Sequence, residues 1–183
     1  MPELSTNSKM IFIASNSREK RAHYFWSYLI ENFYDLNKKI LVITSFKNFH
    51  FQRIIGKIKG IKTILSNTDV LWIPPMHLSF SSLLQRLDKE WIDNYDVICF
   101  YDFSAYDLVF LSKEKFDLIR IMTLLIIYFN QLGSITDINF IFTAPVSSKQ
   151  KIWAIIDKKF IENKNIKHIF LTGSENEDSE FGN

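Results

Sequence analysis

Five short, almost unbroken apolar runs do most to limit the folds open to this 183-residue chain. They are 10–14 (MIFIA), 40–44 (ILVIT), 70–73 (VLWI), 97–101 (VICFY) and 139–143 (NFIFT). A strand with one wet face alternates apolar and polar residues, whereas a strand covered on both faces reads as a continuous apolar run. Between the runs lie segments with helical spacing. In 17–36, Ala22, Phe25, Trp26, Leu29, Ile30 and Phe33 repeat at three and four residues. In 79–93, Phe80, Leu83, Leu84, Leu87 and Trp91 share a face, and 113–132 is apolar on most sides. Strand and helix in alternation predict an α/β fold, a three-layer sandwich around a mostly parallel sheet with right-handed crossovers. Two weaker runs, 152–157 (IWAIID) and 167–171 (KHIFL), have no long helix between them and read as an antiparallel edge hairpin. Residues 1–172 are expected to form one domain, followed by an acidic, disordered tail at 173–183.

Composition narrows the setting. No apolar run approaches the roughly 18 residues of a membrane span, and the first residues lack a signal-peptide pattern. The single Cys99 lies within an apolar run, as a buried thiol in a reducing compartment would. A cytoplasmic or nuclear protein, neither secreted nor membrane-bound, is therefore expected. The net charge of +2 conceals an asymmetry: without the four acids of 173–183, the body carries +6. Between Asp35 and Asp69 stand seven bases (Lys38, Lys39, Lys47, Arg53, Lys57, Lys59 and Lys62) and no acid. Such a run is either a solvated helix face or a surface for phosphate backbones. Phe46, Phe49 and Phe51 interleave with Lys47 and Arg53, which suits base stacking as well as packing of a helix on a sheet.

The junction after the first strand has the frame of a phosphate-binding loop without its glycines. Against G-x-x-x-x-G-K-[ST], the glycine positions fall on Ala14 and Glu19, the lysine on Lys20, and the hydroxyl on Arg21. Glycines allow successive N–H groups to converge on phosphate, and Glu19 brings a negative charge instead. Arg21 replaces the magnesium-binding hydroxyl, so this is a degenerate nucleotide site and no cofactor is expected. The lack of glycine at this junction also argues against a dinucleotide. Asn16 and Glu19 have the spacing of a capping box.

Asp102 ends the 97–101 run, where a carboxylate could meet magnesium; a capping or turn acid is the plainer reading. The four histidines show no metal-ligand spacing, and a buried Cys99 is a poor nucleophile. No catalytic constellation stands out, and the chain reads as a non-enzyme.

The order of elements, from the degenerate loop through the strand ending at Asp102 to Asn139–Ala144, resembles the RecA-like core of the recombinase paralogues. The resemblance spans roughly residues 8–172 and lies in the pattern of elements. Its lost glycines and short loop after Thr143 are similar to the non-catalytic, Shu-complex-type paralogues. The resemblance implies an ATP-independent accessory protein of DNA repair and homologous recombination. It would bind DNA, form a hetero-oligomer with a paralogous RecA-like subunit and assist assembly of a recombinase filament. It also implies DNA contacts at Lys149 and Lys151 in the 143–151 loop, extended more weakly by Lys158 and Lys159. A pseudo-ATPase scaffold subunit of an Elongator-like RecA-fold ring shares the same pattern. A small-molecule enzyme on a doubly wound sheet is a third reading, with Ser15, Ser17, Thr44 and Asp102 converging at the carboxyl ends of the strands.

Overall fold

A computed structural model describes residues 9–34, 37–44, 58–73, 85–87, 91–101, 127–144 and 166–171. Its centre is a sheet of six strands: β1 (Met10–Ser15), β2 (Ile40–Thr44), β3 (Thr68–Trp72), β4 (Val97–Tyr101), β5 (Asn139–Ala144) and β6 (Ile166–Leu171). The spatial order is β3-β2-β4-β5-β1-β6, and every pairing is parallel. The helices among the described residues include α1 (Arg18–Phe33), α2 (Ile61–Ser66) and α3 (127–135). The expected α/β architecture, a parallel sheet flanked by helices, is the one observed.

Alternation along each strand divides the core into two layers. Ile11, Ile13, Ile40, Val42, Val97, Cys99 and Ile141 face α1 and α2, packing with Phe25, Trp26, Leu29, Ile61 and Ile64. Met10, Phe12, Leu41, Ile43, Ile98, Phe100, Phe140 and Phe142 face the other way, onto Leu87, Trp91 and Phe129. The crossovers account for this division. From β1 to β2 and on to β3 the chain moves in one direction across the sheet, and from β3 to β4 and β5 it moves back. Right-handed connections then place α1 and α2 on one face and α3 on the other. Burial of each large side chain contributes about 1.5–3 kcal/mol.

α1 starts one residue later than the capping-box spacing implied. Ser17, not Asn16, is the N-cap, and its Oγ accepts from the Lys20 N–H at 3.3 Å. Ser17 stands immediately before Arg18, and its hydroxyl satisfies one of the amides that the first turn leaves without an intrahelical partner. The N-cap of α2 is Gly60, whose φ of +87° lies in the left-handed region; a Cβ there would come within 3.3 Å of Ile30 Cγ2.

Two strands depart from expectation. β3 spans 68–72 rather than 70–73, and it is not covered on both faces: Val70 and Trp72 are each 44% exposed. β3 stands at the edge of the described sheet, and the six-residue α2 is about half the length of the strand. β6 pairs parallel with β1, from Met10↔Ile166 to Ser15↔Leu171. The 152–157 run, its expected antiparallel partner, and the 173–183 tail lie outside the described residues.

Candidate functional site

In an open α/β sheet, ligands bind outside the carboxyl ends of strands, where neighbouring strands send their connections in opposite directions. β1 and β5 are such a pair. β1 leads across the sheet towards β2 on the α1 side, while β5 leads past β1 to β6 in the opposite direction. The register sets Ala14 beside Ala144, so the β1–α1 junction sits over this switch point.

The junction is closed by its own side chains. Ser15 is fully buried, and its Oγ accepts from the Ser17 N–H at 3.2 Å. Ser17 Oγ accepts from the Lys20 N–H, and the Ser17 carbonyl accepts from the Arg21 N–H at 3.0 Å. Arg21 is only 3% exposed; its side chain turns back along the helix, and Nη1 donates to the Ser15 carbonyl at 2.5 Å. Two of the first amides after the strand thus go to serine hydroxyls, and a guanidinium meets the carbonyl at the strand end.

The residues of the phosphate-loop frame part company here. Ala14 is buried within β1, paired in register with Ala144 on one side and Phe170 on the other. Glu19 and Lys20 are exposed on the first turn of α1, and Arg21 points into the protein. Thr44 and Thr143 are buried at the ends of β2 and β5. Tyr101, the last residue of β4, is buried with its ring 5.2 Å from that of Phe25 on α1. Asp102, Lys149, Lys151, Lys158 and Lys159 lie outside the described residues.

Reading Arg21 only as a motif substitution misses its position in the core. Helical spacing carried the signal: Arg21 lies four residues before Phe25 and seven before Tyr28, both buried on α1.

At the opposite end of the sheet, a cleft of about 320 Å³ is lined by Lys39, Asp93, Tyr95, Asp96, Thr136 and Asp137, among others. Its carboxylates hold strand starts together. Asp96 accepts from the Lys39 N–H at 2.9 Å and from Lys38 Nζ at 3.1 Å, while Asp137 accepts from Lys9 Nζ at 2.7 Å. The Lys9 hydrogen bond and charge hold the Asp137 carboxyl below the usual range. Tyr95 is pushed up to about 12, first by burial and then by its 2.7 Å hydrogen bond to Asp69.

Among the described residues, no group of three or more His, Cys, Asp or Glu side chains is placed to hold a metal. Cys99 is fully buried, and burial pushes its thiol well above the ordinary value. No helix among the described residues is long and apolar enough to cross a membrane. No protein-family model matches the chain, and no curated protein matches it significantly.

Proposed function

We propose that this protein is a nucleotide-independent, RecA-like accessory protein of DNA repair and homologous recombination. It binds DNA through the backbone phosphates beside a paralogous partner subunit and assists assembly of a recombinase filament, in the nucleus or cytoplasm. The observation that carries this proposal is the β1–α1 junction. It has the frame of a phosphate loop at a topological switch point, yet serine hydroxyls take up the Ser17 and Lys20 amides, and an inward-turned guanidinium stands at the position of the magnesium-binding hydroxyl. The placement of β1 between β5 and β6, remote from β2, is compatible with a RecA-like sandwich. The excess of base over acid in residues 1–172 supports an anionic partner.

In this proposal Lys149 and Lys151 contact phosphates, with Lys158 and Lys159 extending the surface. The test is a salt titration of binding to fluorescent single- and double-stranded oligonucleotides, with and without ATP and magnesium. Binding is expected to weaken steeply with salt and to be unaffected by ATP. Combined Lys149→Ala and Lys151→Ala should lower the slope of log K against log salt by about 1.4 on single strands and about 1.8 on duplex. An unchanged slope in the folded double variant removes this site assignment. No binding at low salt shifts the weight to a scaffold subunit of a RecA-fold ring, and an ATP effect restores the nucleotide.

A further inference from the structure

Arg21 is an expensive residue where it stands. A guanidinium that is 3% exposed has lost its water, and in the first turn of α1 it faces the positive end of the helix dipole. An apolar side chain of similar length would avoid both costs. On the β6 side, Ser15 stands in register with Leu171. Ser15 is fully buried, so its carbonyl needs a donor from within the protein.

We infer that Arg21 is an internal ligand of the switch point: its guanidinium binds the carboxyl end of β1 and holds the β1–α1 junction in its closed form without any external molecule. The chain of contacts is short. Arg21 fixes the Ser15 carbonyl, Ser15 Oγ holds the Ser17 amide, and Ser17 Oγ holds the Lys20 amide. The junction amides should therefore report on the guanidinium. This role rests on the junction geometry and is separable from DNA binding. A protein that fails the oligonucleotide assay can still have a locked junction.

The test is amide hydrogen exchange by NMR on wild type, Arg21→Met, Arg21→Lys and Arg21→Ala. Met keeps the length of the stem without the donors, and Lys keeps a single charged donor. In Arg21→Met, the Ser17 and Lys20 amides should exchange about tenfold faster than in wild type, while the Leu29 amide in the middle of α1 keeps its protection. Arg21→Lys should fall between the two. Guanidinium ion well below denaturing concentrations should restore protection in Arg21→Ala, where space is left for it, and not in Arg21→Met. Wild-type protection at Ser17 and Lys20 in Arg21→Met would overturn the inference. So would a gain in protection when ATP and magnesium are added to wild type. Should Arg21→Met fail to fold, wild-type junction protection in Arg21→Lys together with no guanidinium rescue of Arg21→Ala would also overturn it.

Discussion

Tyr28 shows how a single side chain ties the stability of this protein to pH. It lies on the buried side of α1, with Lys167 Nζ 5.6 Å from its ring centroid, so it helps to seat the helix against β6. Burial, and to a lesser extent the neighbouring Tyr24, push its hydroxyl up to about 12 from an ordinary 10. The folded protein therefore keeps this proton over a range in which the unfolded chain releases it. The associated stability is complete below pH 10 and is lost as pH rises from 10 towards 12. Urea midpoints should fall across that window, and Tyr28→Phe should flatten the fall; an equally steep fall in the variant would exclude Tyr28 as its source. Arg21 teaches a related lesson. Its type and place in a motif frame indicated a lost metal ligand, but its helical phase put it in the core. Charge alone does not place a residue on the surface when its stem lies on the packed stripe of a helix.

Among the elements, α3 meets the two central strands through a cluster of aromatic rings. The parallel register sets Phe100 directly beside Phe142, and the rings stack at 5.0 Å, tilted by only 6°. Phe129 of α3 meets Phe100 at 5.1 Å, Phe142 at 5.3 Å and Phe140 at 4.9 Å. Phe129→Ala should cost about 3–5 kcal/mol in urea unfolding, because three rings lose one partner and the site cannot collapse around all of them. A loss below about 1 kcal/mol would mean that α3 is not anchored there. The sheet places these rings together; with 17 Phe in the chain, sequence alone does little to separate one from another. The strand runs were legible because both-face burial leaves an unbroken apolar trace. β3 was less so, since its start at Thr68 and Asp69 is polar and its outward residues, Val70 and Trp72, are apolar. α2 left only Ile61 and Ile64 as a periodic signal, too little to mark a helix in advance.

Across the whole molecule, a polar seam joins the amino ends of strands that are distant in sequence. The Lys39 carbonyl accepts from the Asp96 and Val97 amides, the Asp96 carbonyl from Asn139, and the Lys9 carbonyl from Phe140. The Asp96 carboxylate adds a bond to the Lys39 amide and another to Lys38. Asp96→Ala should cost about 1 kcal/mol, modest because the carboxylate is partly in water, and Asp96→Asn should cost less. Equal losses in the two variants would show that the charge, rather than the acceptor, holds the seam. By itself the sequence determined the class of fold, the four strands buried on both faces (β1, β2, β4 and β5) and the first helix, because burial periodicity is a local property of the chain. It also showed that the first junction lacks the glycines of a phosphate loop. Only the tertiary structure decided the strand order, the partial exposure of Val70 and Trp72 on β3 and the inward turn of Arg21 onto Ser15. Those depend on which strands meet, and short apolar runs of equal length and similar composition carry almost no information about their neighbours.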